Sequence, residues 1–298
     1  MIKNYDDLIS LASLYKKSLD KQRKKVLICA GTGCVAGGSL RIYEKIKSLV
    51  KENSLLVDVD LEKEEEGIGV KKSGCHGFCE AGPLVRIEPY NYLYLHVKLE
   101  DCEEIVTKTL KEGKPIERLM YNVKGKTYKT QEEIPFYERQ TRLVLHNCGH
   151  IDAESIQEYI GNGGYKAVAM ALNMESMDVC QMVIDSGLRG RGGGGFATGR
   201  KWIQVLSQPN HPKYVVCNGD EGDPGAFMDR SIMEGDPHKV IEGMLISGYA
   251  TGAHEGYIYV RAEYPLAVNR LETAINQALE YGLLGDNILN SGFSSPKL

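Results

Sequence analysis

The sequence lacks any run of about 18 apolar residues, the length a helix needs to cross a bilayer. Its first residues, MIKNYDDLISLASLYKKSLDKQRKK, hold no apolar core followed by a small-residue cleavage site. These two absences predict a cytoplasmic protein with no direct membrane span. A long basic run is missing too: 36 Lys and Arg stand against 40 Asp and Glu, a net charge of −4. That balance argues against nucleic acid as the main partner. Neither an internal repeat nor a low-complexity tract is visible.

What is present is a chain of 298 residues, enough for about two domains with cores of their own. Hydrophobic residues make up 42% and charged residues 26%, ordinary for a globular protein. Two residue types depart from the ordinary. The 33 glycines exceed the usual share of about 7% and crowd between residues 187 and 199. The eight cysteines occur in a chain with no mark of export. In a reducing cytosol, grouped cysteines point to metal or redox chemistry before disulfides.

Periodicity divides the chain into two regions. Leu8, Leu11, Leu14, Tyr15 and Leu19 predict a helix over 5–22, Val26–Ile28 a buried strand ending at Cys29, and residues 39–50 a helix N-capped by Ser39. Strands follow at Leu55–Leu61, Val85–Ile87 and Tyr92–Val97, then a helix over 101–110. Residues 1–112 thus fit a thioredoxin-like sheet carrying helices. The polar stretch 113–140 reads as a linker. Beyond it a strand is expected at Leu143–His146, helices around 153–160 and 164–185, and a helix including Trp202. Strands at Tyr214–Cys217 and Tyr257–Val260 each precede a long helical pattern, 237–250 and 265–282. Alternation of this kind makes residues 141–298 an α/β layer.

Chemistry concentrates at three places. Cys29 and Cys34 enclose CAGTGC, and Cys75 and Cys79 enclose CHGFC; four thiolates without histidine suit zinc or an iron–sulfur cluster. The small residues around both pairs leave backbone N–H groups free to point at sulfur, which favours a cluster. His76 reads as a solvated loop residue, and Cys102, Cys148, Cys180 and Cys217 as buried small hydrophobes. The second place is GLRGRGGGGFATGRKW, residues 187–202. Gly190, Gly192 and Gly195 satisfy G-x-G-x-x-G, but a helical segment precedes them, so the Rossmann reading fails on context. Contiguous glycines beside Arg189, Arg191, Arg200 and Lys201, with a helix following, predict a phosphate-bearing ligand; a flexible surface loop is the plain alternative. The third place is VVCNGDEGDPGAFMDR, residues 215–230, where Asn218, Asp220, Glu221 and Asp223 follow a strand. Such acids suit ribose hydroxyls, a flavin edge or a divalent metal, or form a solvated turn.

The pattern C-x4-C then C-x3-C, with CAGTGC after a strand and GCHGFCEAGP, resembles the thioredoxin-like [2Fe–2S] ferredoxins. LRGRGGGGFATGRKW and CNGDEGDPGAFMDRSIMEGDPHKVIEGM resemble the FMN- and NADH-binding flavoprotein subunit of complex I. Subunits of NAD(P)-linked iron hydrogenases with a fused ferredoxin-like domain are similar too. The resemblance implies a [2Fe–2S] cluster on Cys29, Cys34, Cys75 and Cys79. It implies FMN cradled by Gly190, Arg191, Gly192, Gly193 and Lys201, with Asn218, Asp220 and Glu221 on the flavin's other contacts. Phe196 and Asp223 would face NADH, and no side chain would act as a catalytic acid or base. Electrons would pass to a hydrogenase catalytic subunit or another iron–sulfur partner. Ala197 and Gly194 depart from the proline and alanine usual in the family, without a change of charge. The resemblance also implies more chain past Leu298: a Gly-Glu-Glu segment, a ubiquitin-like domain and a helical domain with a [4Fe–4S] cluster. A chain lacking those parts could instead be a [2Fe–2S] carrier with a disabled flavin domain, or a zinc-stabilised module whose glycine loop holds a nucleotide.

Overall fold

The computed structural model describes residues 2–53 and 67–295, so the strand expected at Leu55–Leu61 lies outside the described residues. The chain forms two compact units. One, the cysteine unit, comprises Ser13–Gly161 with Ser231–Asp236; the other, the glycine-loop unit, comprises Met1–Ala12, Asn162–Arg230 and Pro237–Leu298.

Helix α1 (Tyr5–Lys21) leads into β1 (Gln22–Cys29), then α2 (Thr32–Ala36) and α3 (Ser39–Glu52). Ser39 is the first helical residue rather than the cap; Gly38 takes the cap position at φ +90°, a left-handed conformation that glycine adopts without strain. The remaining strands of the cysteine unit's main sheet are β2 (Gly67–Ser73), β3 (Val85–Glu88) and β4 (Tyr92–Tyr94). The sheet order is β2-β1-β3-β4, parallel between β1 and β2 and antiparallel elsewhere. Ile42, Ile46 and Val50 recur every fourth residue, so one face of α3 is apolar, and all three are buried with Val26, Ile28, Val70 and Ile87. Each such side chain contributes about 1.5–3 kcal/mol on leaving water. Helix α4 (Cys102–Glu104) runs on as a π-helical turn through Lys111 and closes this core with Ile105, Val106 and Leu110.

The segment expected as a linker is folded. It contains the hairpin β5 (Tyr121–Val123) and β6 (Lys126–Tyr128) and the short helix α5 (Pro135–Glu138). Phe78, between the second pair of cysteines, stacks on Phe136 at 5.0 Å and meets Tyr121 and Tyr137 edge-on at 5.6 and 6.0 Å. The apolar residues of 113–140 are aromatic anchors set at irregular intervals, so no period betrays them. The strand expected at Leu143–His146 is also absent, replaced by turns over 144–150. No partner strand receives it: Leu143 is 78% exposed, and local bonds such as Cys148 N–H to Leu145 O close the turns. Helix α6 (Ile156–Gly161) completes the unit, so residues 141–161 cluster with the cysteines and not with the glycine loop.

In the glycine-loop unit the helix expected over 164–185 is two helices, α7 (Lys166–Ala171) and α8 (Ser176–Asp185), separated at the extended Glu175. After α9 (Thr198–Leu206) come β7 (Tyr214–Gly219), α10 (Met228–Gly235), whose residues from Ser231 onward belong to the cysteine unit, α11 (Pro237–Thr251), β8 (Glu255–Val260) and α12 (Pro265–Glu280). Strands β7 and β8 pair in parallel from Tyr214↔Glu255 to Gly219↔Val260. Helix α11 packs on both strands and on α7, α8, α9 and α12. Helices α8 and α9 touch through Gly199, where a Cβ would stand 2.5 Å from the Cys180 carbonyl oxygen. Buried Glu242 accepts the N–H groups of Tyr165, Ala167 and Val168 at the start of α7. His238 bridges the Tyr165 hydroxyl at 2.8 Å and the Gln277 amide oxygen at 3.0 Å.

Candidate functional site

The four paired cysteines converge at one end of the β2-β1-β3-β4 sheet. Cys29 is the last residue of β1 and Cys34 lies on α2, while Cys75 follows β2 by way of Gly74. The Cys75 and Cys79 sulfurs are 3.7 Å apart, and Cys29 is in thiol contact with both Cys34 and Cys75. The sulfurs therefore form a chain of pairwise contacts. Among the described residues no group of three or more His, Cys, Asp or Glu side chains is set to hold a single metal ion. Contact with Cys34, reinforced by burial, pushes the Cys29 thiol up to about 12; contact with Cys29 pushes Cys75 up to about 11 and draws Cys34 down. Cys79 alone of the four is exposed.

Close approach explains the glycines here. A Cβ on Gly31 would stand 2.9 Å from the Cys75 Cβ, and one on Gly82 2.7 Å from the Cys34 sulfur. The Gly77 N–H points at the Cys75 sulfur at 3.3 Å. Four thiols, a backbone donor aimed at sulfur and side-chain-free walls have the chemistry that an iron–sulfur cluster or a zinc ion requires.

His76 corrects the sequence reading: it is fully buried, not solvated. Its Nε2 meets the Ser73 hydroxyl at 2.7 Å, and that hydroxyl donates to the Ile28 carbonyl. The second cysteine loop is thereby tied to β1 next to Cys29. Burial, with the nearby Arg86 and Arg142 charges, pushes the imidazole down to about 3. Of the unpaired cysteines, Cys102, Cys148 and Cys180 are buried as expected and Cys217 is half-buried.

The sequence reading also missed Glu234, on the last turn of α10 and 1% exposed. Its carboxylate accepts the Thr32 N–H at 3.0 Å and the Thr32 hydroxyl, inside the Cys29–Cys34 loop. Its neighbour Gly235 abuts Gly74 and Cys148, and Asp236 accepts the Asn147 amide at 2.8 Å. No local signal announces these partners, since Thr32 and Glu234 stand 202 residues apart.

The glycine loop is fastened at its base and open at its tip. Gly190 N–H donates to the Phe196 carbonyl at 2.9 Å, Thr198 N–H to Leu188, and the Arg189 guanidinium to the Gly195 carbonyl at 3.2 Å. Around Gly192, Gly193, Gly194 and Gly195 a Cβ would meet nothing within 4 Å. Arg191, Phe196 and Lys201 are exposed on or beside this loop. Helix α9 begins immediately after it, with no side-chain cap at Ala197. A ring of unencumbered backbone, cations and a helix N-terminus is a cradle for phosphate.

At the C-terminal end of β7, Asn218 Oδ1 accepts the Asp220 N–H at 3.0 Å, and Asn218, Asp220 and Asp223 face solvent. Glu221 turns inward instead. It is 6% exposed and accepts N–H groups of Met228, Asp229 and Arg230 at the start of α10, with the Tyr264 hydroxyl donating to it at 3.3 Å. The Arg261 guanidinium holds the Glu221 backbone carbonyl.

Residues 183–289, which hold both the glycine loop and the acidic turn, match the Nuo51 FMN-binding domain. The chain is 56% identical over 156 residues to the NADP-reducing hydrogenase subunit HndC of Solidesulfovibrio fructosivorans, covering 52% of this chain and 32% of that protein. It is 48% identical over 158 residues to an NADH-quinone oxidoreductase subunit of Aquifex aeolicus (strain VF5), covering 53% of this chain and 37% of that protein. The chain thus spans about a third of the length of the curated relatives it matches. Among solved structures, the thioredoxin-like [2Fe–2S] ferredoxin from Aquifex aeolicus is 29% identical over 33% of this chain and 89% of its own, with a TM-score of 0.28. No helix among the described residues is long and apolar enough to cross a membrane. Over residues 183–289 the chain resembles the 51-kDa flavoprotein family through its Nuo51 FMN-binding domain.

Proposed function

We propose that this chain is part of an NAD(P)H-linked electron-transfer subunit of a cytoplasmic complex of hydrogenase or NADH-dehydrogenase type. The observation that carries the reading is the pairing, in one chain, of a four-thiol centre with an open glycine cradle inside the FMN-binding match. Cys29, Cys34, Cys75 and Cys79 would hold a [2Fe–2S] cluster. Gly190, Gly192 and Gly193 would offer N–H groups to the FMN phosphate, with Arg191 and Lys201 supplying positive charge. Asn218 and Asp220 would meet the flavin from the end of β7, while Glu221 fixes the turn that presents them. Phe196, exposed on the glycine loop, and Asp223, exposed in the acidic turn, would meet NADH.

Bound FMN would exchange electron pairs with NAD(H) and single electrons with iron–sulfur centres. The protein's own groups bind and orient; no side-chain acid or base is required. A hydrogenase catalytic subunit or another iron–sulfur partner would receive the electrons, and a [4Fe–4S] centre would belong to sequence outside this chain. The test is the visible spectrum of the anaerobically purified protein, reconstituted with FMN, before and after NADH. Bleaching of flavin together with the cluster bands supports the proposal. Cluster bands without retained flavin, unchanged by NADH, would leave only an electron-carrier role.

A further inference from the structure

We infer that Glu234 is a positioning residue for the thiol centre: its carboxylate clamps the Cys29–Cys34 loop from α10 and lowers the reduction potential of the cluster held there. The inference rests on the iron–sulfur reading proposed above. Three observations converge on the tripeptide Glu234-Gly235-Asp236. Glu234 is buried at 1% exposure, and both its carboxylate oxygens engage Thr32, one at the backbone N–H and one at the hydroxyl. Thr32 lies between the two cysteines of the first loop, two residues before Cys34. Gly235 lies against Gly74, the residue before Cys75, so closely that a Cβ on Gly74 would stand 2.5 Å from its Cα. Asp236 is fastened in turn by the Asn147 amide. One short segment therefore touches both ligand loops.

A buried carboxylate is expensive to keep away from water, and two hydrogen bonds to one residue are a specific compensation. Its charge has a consequence beyond holding the loop. Reduction adds a negative charge to the cluster, and a carboxylate beside the ligand loop opposes that addition. A purely structural clamp would fix the loop without this effect on potential. The Glu234→Gln variant separates the two roles. Its amide keeps an oxygen for the Thr32 N–H and a nitrogen that can donate to the Thr32 hydroxyl, but it carries no charge.

The experiment is an EPR-monitored redox titration of the full chain with its iron–sulfur centre. It is paired with hydrogen exchange of the Thr32 amide in the iron-free protein. In E234Q the midpoint should move to more positive potential. Where the unaltered chain is half reduced, the reduced-to-oxidised ratio should rise several-fold; tenfold corresponds to about 59 mV for one electron. Thr32→Val keeps the charge and loses one hydrogen bond, so its potential should move less. Should E234Q fail to fold, Glu234→Asp and T32V carry the test: the shorter acid retains the low potential but speeds exchange of the Thr32 amide, and T32V, which keeps the backbone bond and the charge, retains the low potential. A full cluster in E234Q with unchanged potential overturns the inference, as does unaltered exchange of the Thr32 amide in E234D. An unaltered chain that binds no iron or sulfide overturns the iron–sulfur reading itself.

Discussion

Replacing Gly31 by alanine should unsettle the thiol centre while leaving the glycine-loop unit unchanged. The added Cβ would stand 2.9 Å from the Cys75 Cβ, 3.3 Å from its Cα and 3.4 Å from its sulfur. The two closest, the Cβ and the backbone Cα, are not the free end of a flexible side chain, so the backbone of one cysteine loop must move. Overpacking of this kind costs about 1–3 kcal/mol. At about 2 kcal/mol, a unit of this size should lose about 4–8 °C in melting temperature. The single tryptophan makes the assay selective, because Trp202 lies on α9 in the glycine-loop unit. In the iron-free chain, the far-UV circular dichroism transition of the cysteine unit should fall while the tryptophan fluorescence transition stays put. The variant should also retain less iron and sulfide. Gly194→Ala is the control, since a Cβ there meets nothing within 4 Å. If Gly31→Ala melts within about 1 °C of the parent and binds iron equally, the close approach of the two loops is not the constraint argued above.

Gly199→Ala should show the opposite selectivity: its Cβ would press on the Cys180 carbonyl and on Ile184, and the tryptophan transition should fall by a similar amount. Glu221→Ala would leave three N–H groups of α10 without their acceptor, a loss of about 0.5–2 kcal/mol readable by denaturant titration. His238 gives a pH signature. Burial pushes its imidazole down to about 4, below the ordinary 6.5, so between those values the unfolded chain binds the extra proton. The stability it contributes is present above about pH 6.5 and is lost as pH falls towards 4, up to about 3 kcal/mol. Urea titrations monitored by Trp202 at several pH values, with His238→Gln as the variant that flattens the slope, check this.

Elements with a local rule were legible in the sequence. The helical stretch 39–50 was legible as α3 and the run Val26–Ile28 as β1, and the patterns for α11 and α12 agree with the structure to within about two residues. The cysteine and glycine loops stood out because their composition is extreme. What escaped depends on distant partners. Strand β2, GIGVKKS, is rich in residues that disfavour strands, and it holds because β1 pairs with it and Glu158 neutralises its buried Lys71 at 2.6 Å. His76 looked like a loop residue because its burial is imposed by β1 and the turns around Gly149. Leu143–His146 failed the other way: an apolar run without a ladder partner is no strand.

The clamp on Thr32 bears on the order in which the molecule can be made. A ribosome extends the chain by about 5–20 residues each second. The 202 residues that separate Thr32 from Glu234 therefore mean about 10–40 s between their syntheses. All four paired cysteines precede Glu234, so the nascent thiols exist before the segment that steadies their first loop. The same arrangement resists modular exchange. A single break after Gly161 would release a piece with every paired cysteine but no Glu234, Gly235 or Asp236. Recombination at that point would transfer the four paired cysteines and leave their brace behind.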